Sequence, residues 1–388
     1  MPHRGDAVGI GALDVQPGGG KLAATVGGRA PGDASKRHFG ALDGLRGLAA
    51  IAVVIFHRRW FFDAPIVDHA FLAVDFFFIL SGFVIGFAYE DRLRAGKMTF
   101  AQFVRVRVVR LWPLIVIGAL LGTWAAVAHA LDEHWTGGVA KALLALPLAI
   151  LLLPAPPVLA SQPFAINQPS WSLMYEMAAN LFHAALAPRL TDRVLATLVM
   201  GFGVALAVIL MTVKVNLGFS WPWWALVLAV PRVMFPFLFG VLLQRWHAAG
   251  RLPAIGAPFW ALGLALLAVM MVPSLPGQGN LLVQLAAVFV VFPLIVVSGS
   301  QREPAGRWSP VAAFSAELSY PIYILHAPML ALLEPWAALL PVGRPLQLLA
   351  MVAVIVPTAL FTGRYVDQPL RRRLSAWLSS PRRQTRHA

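Results

Sequence analysis

Residues 42–57 read LDGLRGLAAIAVVIFH, an almost uninterrupted apolar run that carries two basic side chains, Arg46 and His57. Such a run is typical of a helix that crosses a bilayer, because roughly 20 mostly apolar residues span the hydrocarbon core. Ionisable side chains within a spanning helix are energetically costly and face the interior of a bundle. The segment therefore predicts a membrane-spanning helix whose ionisable side chains belong to a functional site.

The composition of the whole chain indicates the same environment. Its 388 residues are 59% apolar and 12% charged, too few charges to cover the surface of a soluble fold of this size. Because backbone polar groups in lipid must be satisfied internally, we expect an all-α integral membrane protein. The chain has no cysteine, which excludes disulfides, thiolate metal sites and a cysteine nucleophile.

The chain carries a net charge of +14. In a soluble domain this excess would first suggest a nucleic-acid partner. Here the basic residues are concentrated in loops and tails, where they set topology and meet anionic lipid headgroups. We therefore expect the lipid bilayer, and no nucleic acid, as a partner.

Eleven apolar segments are candidates for membrane spans. They are 42–56, 71–88, 111–130, 139–153, 171–186, 194–213, 223–243, 258–272, 281–297, 312–332 and 346–361. Basic loops, above all 91–110, are expected in the cytoplasm together with both basic termini, which requires an even number of crossings. The segment 139–153 is short and contains a proline, so we predict a bundle of about ten transmembrane helices with one extra re-entrant or interfacial helix there.

The two ends of the chain differ from its middle. Residues 1–38 are rich in Gly, Pro and Ala and lack the apolar run of a signal peptide. We predict a disordered cytoplasmic tail at 1–38, a membrane domain at 39–371 and a basic cytoplasmic tail at 372–388.

Three polar side chains share one face of the first predicted span. Arg46 and His57 are eleven residues apart, about three helical turns and ~16 Å of rise. Asp43 lies three residues before Arg46, where the two can pair. Either this face acts as a unit across the membrane, or Arg46 and His57 each reach the nearer headgroup layer.

Two carboxylates are expected near His57. Asp75 lies near the outer end of the second predicted span, where it orients the imidazole or caps the helix. Glu176 shares a helix face with Asn180 and His183 and is expected in the outer third of its helix, level with His57. A carboxyl group there suits proton transfer or orientation of a histidine; alternatively, it pairs with an arginine of another helix.

Two further patterns are candidates for binding. Ser319, Tyr323 and His326 fall at i, i+4 and i+7, a polar stripe that faces the bundle interior or joins helices by hydrogen bonds. Arg107 and Arg110 lie one turn apart on a helix that enters the membrane. They either clamp phosphates or are ordinary positive charge on the cytoplasmic side.

Six motifs in this order resemble acyltransferase family 3, whose members are membrane O-acyltransferases of bacteria and animals. They are Arg46 and His57 separated by ten residues, DFFFILSGF at 75–83, Arg107 and Arg110 before a proline, WSLMYE at 171–176, SYPIYILH at 319–326 and YVDQP at 365–369. The resemblance runs from about residue 38 to 371. The last motif departs from the family's usual Glu-x-Pro, because Asp367 stands where the glutamate would be.

The resemblance implies a role for each motif. His57 resembles the catalytic histidine, with Arg46 as its motif partner, and it acts as a general base or takes the acyl group transiently. Arg107 and Arg110 resemble the arginines that bind the phosphates of acyl-CoA, and Arg46 is expected to assist them. Glu176 resembles the family's acidic residue.

The same resemblance implies a function. We expect a membrane-bound O-acyltransferase in a bacterial inner membrane that moves an acyl group, above all acetyl, from cytoplasmic acyl-CoA to a hydroxyl of a carbohydrate or glycolipid acceptor, such as an exopolysaccharide, a lipopolysaccharide or a glycoside. His57, Glu176 and Asp75 would be catalytic, and Asp43, Ser319, Tyr323 and His326 would be supporting polar residues. Acyl-CoA is then a co-substrate, and we expect no metal and no permanently bound cofactor. The alternative is a multi-span transporter or a lipid or sugar flippase.

Overall fold

The computed structural model describes residues 39–134, 136–213, 217–218 and 223–379. These residues belong to one unit of the chain, His38–Ala388. The predicted tail at 1–38 and residues 380–388 of the second predicted tail lie outside the described residues. The described part of that second tail, residues 372–379, is helical and continues the last helix.

Helices account for the regular structure of the described residues, in which no strand occurs. The α-helices are α1 Gly40–Phe56, α2 Ala73–Ile85, α3 Asp91–Arg94, α4 Phe100–Asp132, α5 Thr136–Ile150, α6 Ser170–Leu186, α7 Asp192–Val213, α8 Ala225–Ala248, α9 Phe259–Met270, α10 Gly279–Ala286, α11 Phe292–Gly299, α12 Trp308–Ala337, α13 Arg344–Phe361 and α14 Gln368–Ser379. Short π-helical segments make three of the connections continuous: Gly86–Glu90 between α2 and α3, Ala287–Val291 between α10 and α11, and Thr362–Asp367 between α13 and α14.

Seven helical segments of the described chain are long and apolar enough to cross a membrane. They are Ala70–Arg94, Phe100–Asp132, Asp192–Val213, Leu226–Ala248, Gly279–Gly299, Trp308–Ala337 and Arg344–Leu378. The protein is therefore an all-helical, multi-pass membrane protein. The helices α1 and α6, with 17 residues each, are not among the seven.

The segment that we predicted not to cross, 139–153, falls on a short apolar helix. Its apolar part is Gly137–Ile150, and Pro147 lies inside it. A second short apolar helix is Phe259–Met270. The total of ten spans, and the placement of α5 at the outer surface, stay predictions.

Small residues allow the helices around the site to approach closely. The helix α1 packs along α12, and α2 packs along α8. A Cβ atom at Gly47 would lie 1.9 Å from the backbone oxygen of Ser315, and one at Gly82 would lie 1.8 Å from that of Phe237. Because only glycine fits at these two crossings, α1 and α2 hold their polar side chains at fixed depths against α12 and α8.

Candidate active site

His57 caps the C-terminal end of α1 with its ring turned back onto the helix. Its Nδ1 lies 2.9 Å from the backbone oxygen of Val53. A carbonyl oxygen only accepts, so Nδ1 carries the hydrogen and Nε2 keeps its lone pair in the neutral ring. His57 therefore has the tautomer that a general base requires.

A second imidazole lies beside the first. The ring centroids of His57 and His326 are 4.9 Å apart. His326 is fully buried, and its Nδ1 is 3.0 Å from the backbone oxygen of Ile322, so that its Nε2 also bears a lone pair. This Nε2 has no hydrogen-bond partner within the described chain. Two imidazole rings are therefore in contact inside the bundle, and one of them has an unused acceptor.

A proline in α12 explains how the chain fixes that point. Pro328 has no N–H group, so the backbone oxygen of Ile324, four residues earlier, has no partner within the helix. The buried side chain of Asn167 donates to that oxygen from Nδ2, at 3.0 Å. The loop before α6 therefore fastens α12 between Tyr323 and His326.

His57 lines a cavity of about 510 Å³, which we name the histidine cavity. Polar side chains from five parts of the chain meet there: His57, Arg58, Asp68, Gln168, Arg232 and Asn280. Arg58 pairs with Glu334 near the end of α12, with Nη2 and Oε2 2.7 Å apart. The amides and Asp68 give the cavity the hydrogen-bonding groups that a hydroxylated molecule needs.

The predicted phosphate-binding arginines line a second cavity of about 800 Å³, which we name the arginine cavity. Its charged lining residues include Asp43, Arg46, Arg107, Arg110 and Glu176, and its aromatic ones Phe77, Tyr320 and Tyr323. The structure thus brings Arg46, Arg107 and Arg110 together, although they come from two different helices.

Arg46 is held by the partners that its position on α1 predicts. Its Nη2 lies 3.2 Å from Asp43, one turn earlier, and its Nε donates to the hydroxyl of Ser319 at 3.0 Å. Arg110 differs from its neighbours, because no ion-pair partner for it occurs among the described residues, whereas Arg107 is paired with Glu176. An anion that enters the arginine cavity therefore meets one guanidinium without a bound carboxylate.

The position of Glu176 differs from the prediction. It lies on the arginine cavity and not level with His57: its Oε1 accepts from Ser81 at 2.7 Å and from Arg107 at 3.2 Å. Its position along α6 agrees with the expectation, whereas its side chain contacts Ser81 and Arg107 and not His57. Six residues separate it from the first residue of α6, and this places it ~9 Å along the axis. Of the alternatives, the pairing with an arginine of another helix is the one observed.

Asp75 also has a different partner from the one expected. Its two oxygens accept from Nε and Nη2 of Arg232, at 3.0 and 2.9 Å, and both side chains are fully buried. The guanidinium also lies over the ring of Trp171, at 5.0 Å. A carboxylate that is bound on both oxygens is not available to orient His57, so the expected contact is replaced by an ion pair between α2 and α8.

The sequence analysis did not single out Arg232, because the apolar residues around it identify α8 as a membrane span. Pro231 and Pro236 also lie inside this helix. A single arginine in the middle of an apolar run is a signal that could have found it, since such a charge requires a buried partner.

The remaining residues of the predicted polar face of α6 belong elsewhere. Asn180 donates to the backbone oxygen of Glu176 at 2.7 Å. His183 is buried with its Nε2 3.5 Å from Glu90, which in turn is bound by Arg245. Neither Asn180 nor His183 lines the two cavities.

Val74 and Tyr323 line both cavities. The phenol of Tyr323 lies 2.6 Å from the hydroxyl of Ser172, and its ring stacks edge-to-face on Phe77 with centroids 5.3 Å apart. The rings of Tyr323 and His326 are 6.0 Å apart. The arginine cavity and the histidine cavity therefore adjoin at Val74 and Tyr323.

This chain is similar to a known protein family and to several known proteins. A family model for an acyltransferase domain matches residues 39–364. Protein 2 in the picA locus of Rhizobium radiobacter is 35% identical over 159 residues, which are 39% of this chain and 83% of that protein. Acyltransferase MdmB of Streptomyces mycarofaciens is 30% identical over 148 residues, 36% of each chain. O-acetyltransferase OatA of Staphylococcus aureus is 34% identical over 83 residues, 21% of this chain and 13% of that protein. No solved structure matches.

The matched part of MdmB and of OatA is a minority of each protein. The family match is much broader, since it runs through the whole helical bundle up to the last π-helical segment. It includes every residue that lines the histidine cavity. On this ground the chain belongs to acyltransferase family 3.

Proposed function

We propose that the protein is a membrane-bound O-acyltransferase that moves an acyl group, acetyl above all, from acyl-CoA to a hydroxyl of a carbohydrate acceptor. The observation that carries this proposal is the pair of cavities. One contains several guanidiniums, the other contains an imidazole whose Nε2 bears a lone pair, and Tyr323 lines both. Two of the similar proteins, an acyltransferase and an O-acetyltransferase by name, agree with this reaction class.

The donor would bind with its phosphates in the arginine cavity. Arg110 is the primary anchor because its guanidinium has no ion-pair partner among the described residues. Arg46 and Arg107 add positive charge and are held in place by Asp43 and Glu176. Guanidiniums bind phosphate oxygens in pairs, so such a cluster suits a nucleotide with several phosphates.

The acceptor would bind in the histidine cavity. The hydroxyl to be acylated lies against Nε2 of His57, while Asp68, Gln168 and Asn280 bind the neighbouring hydroxyls. Asp75 contributes indirectly, because it fixes Arg232 in the lining of this cavity. An acceptor with many hydroxyl groups, such as a polysaccharide, a lipopolysaccharide or a glycoside, fits these amide and carboxylate groups.

The transfer itself needs one base. As the acceptor oxygen bonds to the carbonyl carbon of the thioester, its proton passes to Nε2 of His57. The bond between that carbon and sulfur then breaks, and the leaving thiolate takes the proton from the imidazolium. The products are an ester and free CoA, and His57 returns to its neutral form.

We further propose that the arginine cavity faces the cytoplasm of a bacterium, where acyl-CoA is made, with both termini on that side of the inner membrane. The supporting observation is the run of basic residues in the loop 91–100 and in the helix α14. In this arrangement His57 lies at the outer end of α1 and Arg46 lies eleven residues nearer the cytoplasm.

The absence of cysteine allows a direct test of the activity. Purified protein in detergent is mixed with acetyl-CoA, a thiol-reactive dye and oligosaccharides of the host envelope; every new thiol is then free CoA. We expect acceptor-dependent CoA release and a mass gain of one acetyl group per modified hydroxyl. His57→Ala should reduce the rate at least 100-fold, because general bases contribute roughly 100- to 10,000-fold.

The matched control is His129→Ala, which removes an exposed histidine near the end of α4 and should leave the rate unchanged. A folded His57→Ala variant that acylates normally would refute the catalytic assignment. Acceptor movement across vesicles without any CoA release would favour the transporter or flippase instead.

A further inference from the structure

The histidine cavity and the arginine cavity share two lining side chains, Val74 and Tyr323, and we name this shared boundary the wall. Val74 on α2 and Tyr323 on α12 line both cavities, and both are almost fully buried. Phe77, one turn after Val74, supports the ring of Tyr323 from the side of the arginine cavity. Any group that passes from the arginines to His57 by the shared boundary must pass these residues.

A short chain of hydrogen bonds holds the ring of Tyr323 in place. The hydroxyl of Ser172 donates to the backbone oxygen of Pro169 at 2.9 Å. Its oxygen is therefore the acceptor for the phenol of Tyr323, at 2.6 Å. The start of α6 thus latches the phenol ring across the boundary by one side-chain hydrogen bond.

We propose that Tyr323 and Val74 determine which acyl groups the enzyme transfers. This inference rests on the proposed function. The thioester has to reach the acceptor hydroxyl beside His57 while the phosphates stay among the arginines. The acyl group, at the end of the donor, is therefore the first part of the donor to pass Val74 and Tyr323. A methyl group is the smallest acyl substituent that can pass, and a branched chain meets the phenol ring and the isopropyl group of Val74. The wall therefore selects acetyl over bulky acyl groups.

The size of the expected effect follows from packing. A change of one methylene in an apolar pocket alters the ratio of kcat/KM values by roughly 10- to 200-fold. We expect wild-type protein to prefer acetyl-CoA to isobutyryl-CoA by at least 10-fold. Val74→Ala and Tyr323→Ala should each raise the isobutyryl-to-acetyl ratio at least 10-fold. Tyr323→Phe keeps the ring but removes the latch, and it should raise the ratio by a smaller factor.

Two controls match the burial of these residues. Val241→Ala shortens a fully buried valine of α8, and Leu325→Ala shortens a fully buried residue of α12. Neither side chain lines the histidine cavity or the arginine cavity. Both variants should keep the wild-type ratio even where they lower stability.

A narrowing variant provides a measurement that does not depend on turnover of a bulky donor. Val74→Phe should lower kcat/KM for acetyl-CoA at least 10-fold while the Kd for CoA, measured by calorimetry, stays within twofold of wild type. If Val74→Phe weakens CoA binding as strongly as it slows transfer, the wall is part of the donor site and not a selector.

The remaining outcomes separate this inference from the function. Acetyl transfer by the wild type with an unchanged ratio in Val74→Ala and Tyr323→Ala would overturn the selector and leave the function standing. Equal use of both donors by the wild type would also overturn it. No CoA release from any donor would end both. If Tyr323→Ala does not fold, Val74→Ala decides.

Discussion

Arg110 offers the sharpest test at the scale of a single residue. Charge-assisted hydrogen bonds contribute about 1.5–3 kcal/mol each. We expect Arg110→Glu to raise the Kd for CoA about 10- to 150-fold, measured by calorimetry in detergent, with little effect on acceptor affinity.

The control for this change is Arg105→Glu on the same helix, which reverses an exposed charge that does not line the cavity. Equal weakening by Arg105→Glu would reduce the effect to general electrostatics, and an unchanged Kd in Arg110→Glu would contradict the phosphate site. Arg107→Glu is less informative, because it would place two carboxylates together beside Ser81 and test the fold instead.

Asp75 shows what residue patterns cannot decide. A sequence places a carboxylate at a depth in the membrane, but the partner that it finds depends on a helix far away in the chain. Here the partner is Arg232, 157 positions later. The pairing of Asp43 with Arg46 was predictable because both lie on one helix turn, whereas the pairing of Glu176 with Arg107 required the relative position of two helices.

At the scale of an element, the stability of α12 around Pro328 depends on the contact between Asn167 and the backbone oxygen of Ile324. Asn167→Ala leaves a buried carbonyl without a partner, which costs about 1–3 kcal/mol. We expect a lower melting temperature and a lower kcat, because Tyr323 and His326 lie on either side of this contact.

A double variant distinguishes this cause from a general loss of packing. Pro328→Ala supplies an N–H at position 328 that can donate to the backbone oxygen of Ile324, so Asn167→Ala with Pro328→Ala should be more stable than Asn167→Ala alone. Gln347→Ala removes an exposed amide that also donates to backbone oxygens, and it should have little effect. Strict additivity of the two changes at Asn167 and Pro328 would refute the proposed coupling.

Helix positions were the most predictable part of the elements. Each of the eleven apolar segments overlaps a helix of the described chain, because a long apolar run has no other stable form in lipid. The π-helical joints were not predictable. The continuation of α13 through a π-helical segment into α14 was not predictable either, because the basic residues of α14 are typical of a tail.

At the scale of the whole molecule, the arrangement of the spans can be mapped because the chain has no cysteine. Single cysteines are introduced in exposed positions and labelled by an impermeant reagent in intact cells. We expect Glu133→Cys and Ser161→Cys, which flank α5, to be labelled alike from outside. Lys97→Cys should be labelled only after permeabilisation.

Opposite labelling of the two positions around α5 would show that this helix crosses, and ten spans would then be wrong. Labelling of Lys97→Cys in intact cells would place the loop that precedes α4 outside the cell, which would contradict a cytoplasmic donor.

The wall formed by Val74 and Tyr323 has a consequence for the cell whose membrane contains the protein. Two water-accessible vestibules that open toward opposite faces of a bilayer would short-circuit its ion gradient if a file of water joined them. The ring carbons of Tyr323 and the isopropyl group of Val74 interrupt such a file, because they offer a hydrated ion no hydrogen bonds in place of those to its water. The side chains that we propose to select the acyl group would thereby also preserve the ion gradient across the membrane.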